Sequence, residues 1–367
     1  MSQDRLVIRG GRALSGTIVP SGNKNAALPI LAACLLTDEE VVLENVPDIL
    51  DVHVMLALLD DLGVSIRDEG PNSLALRADR VRTTHLDPDL CRRLRASLLL
   101  AGPLLARCGQ VELPLAGGDA IGRRRVDTHL LAFRGLGAEC VVERSYDLRH
   151  SGLRGAEIFL DEASVTATEN ALMAAVLANG RPVILNAASE PHVQDLARFL
   201  VELGARIDGI GTNRMIVEGV ERLHGGRFRI GPDHIEIASF IGLGAITGSD
   251  LTITDVRAED LTLDVLQPRA FFRECIVRIV EEALRREGGR ELVAEVEEGA
   301  DRAATAPVAG HDAQAGVLDP ARDFGAGLDL DRLRHEVARH VGRLEQRGQH
   351  GCLAPRIDDD RRGGPAR

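Results

Sequence analysis

A single lysine, a set of arginines and three turns rich in glycine or hydroxyl side chains stand where helices begin, and these residue types in these places suit the holding of an anion. Of the 44 basic residues only Lys24 is a lysine. Either a codon-biased genome exchanged lysine for arginine wherever the swap was free and left this one by chance, or position 24 needs a compact, mobile ammonium that a planar guanidinium cannot imitate. Lys24 lies in Ser21-Gly22-Asn23-Lys24-Asn25-Ala26-Ala27-Leu28-Pro29, where an extended segment meets a helix start. A helix N-terminus offers free N–H groups and a partial positive charge, so the turn reads as an anion site or as a plain cap. Arg92, Arg93 and Arg95 precede an apolar helix, as ligand-directed cations or as a solvated helix start. In Leu115 to Asp127, Gly117, Gly118 and Gly122 surround Asp119, and Arg123, Arg124 and Arg125 follow. That composition makes a mobile loop carrying both signs of charge, an active-site lid or a surface connection. Ser164-Val165-Thr166-Ala167-Thr168-Glu169-Asn170 offers hydroxyls and backbone donors suited to a diphosphate or to capping alone. Glu190, Asp233 and His234 read as structural polar residues at junctions between elements.

The elements that must position these residues recur. An apolar helical stretch leads to a short β-rich run, a turn, an amphipathic helix ending in Leu-Gly, and another strand. The first copy uses Asn25 to Leu36, Val41 to Leu43, and a helix to Leu62-Gly63 before Val64 to Ile66. The second uses Arg95 to Ala106, Gln110 to Leu113 and a helix to Leu136-Gly137; the third uses Thr168 to Ala178, Pro182 to Leu185 and a helix from Val193 to Leu203-Gly204. A fourth begins with Ile235 to Ile246 and Leu251 to Thr254 but does not finish on Leu-Gly. Each such glycine is placed to take the left-handed conformation that ends a helix. Stretches as apolar as Leu98 to Leu105 require burial on several sides, which predicts helices inside and sheets outside. From about residue 280 the pattern stops, a charged helix is expected over Glu281 to Glu298, and no further β-rich run is expected.

Composition narrows the classes. A chain of 367 residues exceeds one ordinary core, and 44% apolar with 27% charged residues is globular. The net charge of −12 argues against general binding of nucleic acid or an anionic membrane. The N-terminus lacks the apolar core of a signal peptide and no apolar run reaches the length of a membrane span, so a cytoplasmic protein is expected. Six cysteines without a CxxC pair support neither a zinc site nor a disulfide framework, and no metal or cofactor is expected.

Five stretches in order, SGNKNAALPIL from Ser21, RLRASLLLAGPLLAR from Arg93, the Gly117 loop ending in Val126-Asp127-Thr128-His129, SVTATENALMAA from Ser164 and GPDHIEIASF from Gly231, resemble the UDP-N-acetylglucosamine 1-carboxyvinyltransferases over roughly residues 5 to 270. The resemblance implies an α/β enolpyruvyl-transferase fold of two domains built from repeated helix-and-sheet units. It assigns residues 23–229 to one complete domain and residues 1–22 plus 230–280 to an incomplete second one, with 281–367 a poorly folded tail foreign to the family. The implied partners are UDP-N-acetylglucosamine and phosphoenolpyruvate, with no nucleic acid or membrane. The implied reaction, the first committed step of peptidoglycan synthesis, joins the enolpyruvyl group to the sugar 3′-hydroxyl and releases phosphate. On this resemblance Lys24, Arg95 and Arg124 clamp the charges of phosphoenolpyruvate. Asn25, Arg124, Arg125, Val126, Asp127 and Thr128, and the segment from Glu162 through Ser164, Val165 and Thr166, orient the sugar nucleotide, and Asp119 delivers a proton.

The chain departs from the family in three places. Most members carry cysteine where this chain has Asp119, and a carboxylic acid forms no stable thioether, so insensitivity to the epoxide fosfomycin is expected. To be protonated at neutral pH, Asp119 needs its pKa raised by about three, roughly 4 kcal/mol of environment. Glu162 stands where many members have a basic residue. The C-terminal third carries no recognisable counterpart of the family's remaining acid and arginines, so very low activity is expected; the alternatives are a remnant that only binds the UDP-sugar, or another enolpyruvyl transferase.

Overall fold

A computed structural model describes residues 5–9, 13–115, 125–247, 249–256 and 291–295. The chain divides into two compact units, one of Ile18–Ala238 with Ile253–Gln267 and one of Met1–Thr17, Ser239–Thr252 and Pro268–Arg367. Two strands come first, β1 (Arg5–Arg9) and β2 (Ser15–Ile18). The larger unit then opens with α1 (Lys24–Ala33), a 3-10 turn at Cys34–Leu36, β3 (Glu40–Glu44), α2 (Leu50–Asp61), and the hairpin of β4 (Ser65–Gly70) and β5 (Ser73–Arg77). A second package follows: α3 (Pro88–Arg93), a 3-10 helix at Arg95–Leu100 running into α4 (Ala101–Cys108), β6 (Gln110–Pro114), α5 (Asp127–Gly135), β7 (Glu139–Val142) and β8 (Ser145–Arg149). The third comprises β9 (Glu157–Phe159), α6 (Val165–Ala175), β10 (Val183–Leu185), α7 (Pro191–Glu202), β11 (Arg206–Asp208) and β12 (Arg214–Glu218), and β13 (Gly226–Arg229) follows it.

The packages are built alike. In the first sheet, β3 lies antiparallel to β5 and parallel to β13; in the third, β10 lies antiparallel to β12 and parallel to β9. β6 pairs antiparallel with β8, and a parallel bridge from His85 to Glu112 occupies the corresponding edge. The first package's parallel strand is thus supplied by residues 226–229, so the chain that leaves the third package closes back on the first. The repeated Leu-Gly pairs end α2, α5 and α7 as the pattern requires: Gly63, Gly137 and Gly204 have φ of +98°, +94° and +100°, a region costly for a residue with a Cβ. Asn45 after β3 and Asn186 after β10 are also left-handed, and each side-chain amide donates to a carbonyl beyond the neighbouring parallel strand, Ile230 O at 3.0 Å and Leu160 O at 2.9 Å.

The core lies around helices buried on all sides. Ala26 to Ala33 of α1 and Ala167 to Ala175 of α6 are buried without a break. Their many alanines permit close approach, and apolar burial of this extent is the main stabilising term. Arg95–Leu100 is a 3-10 helix although the sequence suggests one α-helix from Arg95 to Ala106. Pro103 has no N–H and fits a helix best in its first turn, and the α-helix restarts at Ala101 with the proline inside that turn.

In the smaller unit α8 (His234–Thr247), which begins in the larger one, leads to β14 (Asp250–Ile253), and β14 pairs with β2. The expected charged helix over Glu281 to Glu298 contains instead β15 (Glu291–Glu295), antiparallel to β1 with Leu6 opposite Ala294, Val7 opposite Val293 and Ile8 opposite Leu292. The expectation that no strand returns after residue 280 is corrected by the same element: the central Leu-Val-Ala of this segment can enter a ladder as readily as a helix, and the partner strand Arg5–Arg9 decides between them. The rest of the stretch from 281 to 367 lies outside the described residues. Among the described residues no helix is long and apolar enough to cross a membrane.

Candidate functional site

The helix starts that carry the candidate residues are held in the larger unit by two sets of polar contacts, part buried and part exposed. The first ties α1, α7 and α8 together. Asn23 caps α1, its Oδ1 accepting from Ala26 N–H at 3.1 Å, and its Nδ2 meets His234 Nδ1 at 2.9 Å. The His234 ring stacks on His192 of α7, with centroids 5.7 Å apart. Asp195, buried on α7, accepts from Gly231 N–H at 3.1 Å and pairs with Arg198 at 3.2 Å. Lys24 follows the cap directly, half-exposed, with its Nζ 3.2 Å from Asp51 in the first turn of α2. An exposed pair of this kind is worth at most about 1 kcal/mol, so an anionic ligand can displace the carboxylate. Asn25, partly buried, is one residue further on. Pro29, which has no N–H, leaves the Asn25 carbonyl without its helical donor.

The second set ties the Arg95–Leu100 turn, α5 and α6 together. Arg125 is held by carboxylates: Nη2 donates to Asp161 Oδ2 at 2.5 Å, Nε to Asp127 Oδ2 at 3.4 Å, and Nη1 lies 3.9 Å from Glu162 Oε2. Thr128, buried in the first turn of α5, donates to the other Asp161 oxygen at 2.7 Å. The Thr128 bond, followed by Arg125, holds the Asp161 carboxyl below its usual range. Val126 precedes α5, and Asp127 is its exposed first residue. Ser164 caps α6 and accepts from Ala167 N–H; Val165 and the exposed Thr166 begin that helix. Thr166 Oγ1 lies 3.2 Å from Nε2 of buried His129, whose Nδ1 lies 3.0 Å from Asn170 Nδ2. Burial, and then the nearby positive charge of Arg95, lowers the His129 pKa to about 4.

Glu169 stands between the two sets. It is buried on α6, and burial, with Glu190 at the start of α7 adding repulsion, pushes its carboxyl well above the usual carboxylate range. Among the described residues Glu169 Oε1, Glu190 Oε2 and His192 Nδ1 have no hydrogen-bond partner. Burial, and then His234, lowers the His192 pKa to about 4.

The structure therefore brings Arg95, Arg125 to Thr128 and Ser164 to Thr166 into one connected set, and places Lys24 and Asn25 on the set that joins α1 to α8. Asp119 and Arg124 lie outside the described residues. Asp51, Asp161, His129 and Asn170 were missed, although His129 and Asn170 end two of the motifs already singled out. Among the described residues no cluster of three or more His, Cys, Asp or Glu side chains is placed to hold a metal. Helix N-termini with Lys24 and Arg95 suit a ligand bearing several negative charges, whereas Arg125 is already paired with carboxylates.

Comparison with known proteins gives consistent neighbours. The family described as EPSP synthase (3-phosphoshikimate 1-carboxyvinyltransferase) matches residues 8–288. The UDP-N-acetylglucosamine 1-carboxyvinyltransferase of Bradyrhizobium diazoefficiens is 55% identical over 261 residues, covering 71% of this chain and 61% of that protein. The protein of the same name from Treponema denticola is 51% identical over 255 residues, covering 70% and 60%. The chain thus spans about three-fifths of the length of these relatives. Among solved structures, the enolpyruvyl transferase NikO from Streptomyces tendae has a TM-score of 0.59 and 27% identity, covering 68% of this chain and 60% of that one. The EPSP synthase of Acinetobacter baumannii, at TM-score 0.56 and 19% identity with 70% and 59% covered, shares the fold.

Proposed function

The chain belongs to the EPSP synthase family of carboxyvinyl transferases, and from that premise we propose that it transfers the enolpyruvyl group of phosphoenolpyruvate to the 3′-hydroxyl of UDP-N-acetylglucosamine with release of phosphate. The observation that carries this reading is the identity of about half the residues with proteins of that name over the stretch that holds the gathered helix starts. In the proposed reaction a proton reaches the methylene carbon of phosphoenolpyruvate as the sugar oxygen bonds to C2 and gives up its own proton. The methyl group then loses a proton and the C2–O bond to phosphate breaks, which restores the enol double bond. Asp119 is the proposed donor to the methylene carbon. Lys24, Arg95 and Arg124 hold phosphate and carboxylate, and fixed cations lower the barrier where charge develops. Asn25, Arg124 to Thr128 and Ser164 to Thr166 orient the nucleotide. Glu162 Oε2 lies 3.9 Å from Arg125 Nη1. The domain division read from the sequence, a cytoplasmic location and a role in peptidoglycan synthesis belong to the same proposal.

A second reading, binding of the UDP-sugar without turnover, is favoured by one observation: every placed candidate residue lies in the larger unit, while the chain spans three-fifths of its relatives. Titrating UDP-N-acetylglucosamine with and without phosphoenolpyruvate, alongside a phosphate-release assay, separates the two. Tight binding with no phosphate released supports the second.

A further inference from the structure

The amide of Asn170 can face only one way. Its Oδ1 accepts from Gly102 N–H at 2.8 Å, and its Nδ2 donates to Leu98 O at 3.0 Å. A backbone N–H cannot accept and a backbone carbonyl cannot donate, so the two contacts fix oxygen and nitrogen independently. The contact of Nδ2 with His129 Nδ1 at 3.0 Å must then be a donation into the ring. His129 Nδ1 is therefore the unprotonated nitrogen, the proton sits on Nε2, and Nε2–H donates to Thr166 Oγ1 at 3.2 Å. One lone pair of the Thr166 hydroxyl is thereby occupied. Its own proton is left over, on a side chain that is exposed and that makes no other hydrogen bond among the described residues.

We infer that His129 is a positioning residue that polarises Thr166, so that the threonine hydroxyl donates to an anionic oxygen of the ligand, the diphosphate of a nucleotide. The inference rests on the functional reading above and deepens it. The whole relay is backbone to amide to imidazole to hydroxyl, with the amide and the imidazole both buried, so its polarity is set by the fold before a ligand arrives. The close packing that fixes Asn170 is visible at Gly102, where a Cβ would lie 2.7 Å from Asn170 O and 2.8 Å from Oδ1. Reversing the relay would move the ring proton to Nδ1, which would set an N–H against the Asn170 amide hydrogens.

The test uses the full chain, titrated with UDP by calorimetry, and nitrogen NMR of its imidazoles. Thr166→Val and His129→Leu are each expected to weaken UDP binding about tenfold, the loss of one charge-assisted hydrogen bond. His129→Gln, which keeps one acceptor and one donor, is expected to stay within about threefold of the parent. The His129 ring is expected to show the Nε2–H form near neutral pH. A ring protonated on Nδ1, or a glutamine variant as weak as the leucine one, overturns the inference while leaving the functional reading in place. So does unchanged binding by Thr166→Val, whose exposed site tolerates the change without unfolding. No UDP binding by the parent overturns the functional reading and with it the ligand assigned here, a failure told apart by a ring that still shows the expected tautomer.

Discussion

Acidification should destabilise the larger unit through two imidazoles before the carboxylates of lowered pKa contribute, with Glu169 acting in the opposite direction. His129 and His192 both have their pKa lowered from 6.5 to about 4. The folded state therefore binds fewer protons than the unfolded chain between those values, so stability is full above pH 6.5 and is lost as pH falls towards 4. At about 1.4 kcal/mol for each tenfold, the loss by pH ~5 is roughly 2 kcal/mol for each ring, and by pH ~4 roughly 3. Two rings together approach the whole stability of an ordinary domain, about 5–15 kcal/mol. Asp161 and Glu39, whose pKa values lie below their usual 3.8 and 4.5, lose their contributions only further down, so the histidines are separable from them. Guanidinium unfolding should be followed by far-ultraviolet circular dichroism, because the sequence has no tryptophan and one tyrosine. Between pH ~6.5 and ~5 the parent is expected to lose about 3 kcal/mol more than the His129→Gln, His192→Gln double variant. An equal loss in parent and double variant would refute the reasoning.

Glu169 should act with the opposite sign: its folded-state pKa is raised, so its contribution is full below pH ~4.5 and declines as pH rises. Glu169→Gln is accordingly expected to raise the melting temperature at pH ~8 and to change it little at pH ~4.5, and a lower melting temperature at both would contradict this. Gly102→Ala forces the Asn170 backbone and amide aside and is expected to cost about 1–3 kcal/mol in denaturant unfolding, and to weaken UDP binding as well. Full stability in this variant would contradict the expectation. Fosfomycin is expected to leave the chain unalkylated at Asp119, and burial pushes the thiols of Cys34 and Cys91 up, the latter to about 11, which leaves both as poor nucleophiles. An adduct mapped to Asp119 by peptide mass spectrometry would contradict the expectation.

The repeat was readable because it rests on local chemistry. Leu62-Gly63, Leu136-Gly137 and Leu203-Gly204 advertise helix ends through a residue type that only a left-handed turn needs. Asn23 and Ser164 advertise helix starts in the same way, and both cap as their types suggest. What stayed hidden depends on which distant segments meet. Arg125 looks like a ligand-binding cation until Asp161, far along the chain, is found on it. Lys24 finds Asp51 through the packing of α2, and no spacing rule predicts that partner. His129 and Asn170 lay within quoted motifs, but their roles follow from Gly102 and Leu98 on a third segment, which fix donor and acceptor. The strand Glu291–Glu295 was read as helix because Glu-Leu-Val-Ala-Glu satisfies both periodicities, and only its partner at Arg5–Arg9 selects one.

Phosphate release from the purified chain, given UDP-N-acetylglucosamine and phosphoenolpyruvate together, tests the central claim most directly. The account predicts phosphate only when both substrates are present, and a fall of at least about a hundredfold in Lys24→Ala, the scale expected when one fixed charge is removed from a transition state. No phosphate from a parent that nevertheless binds the sugar nucleotide would contradict it.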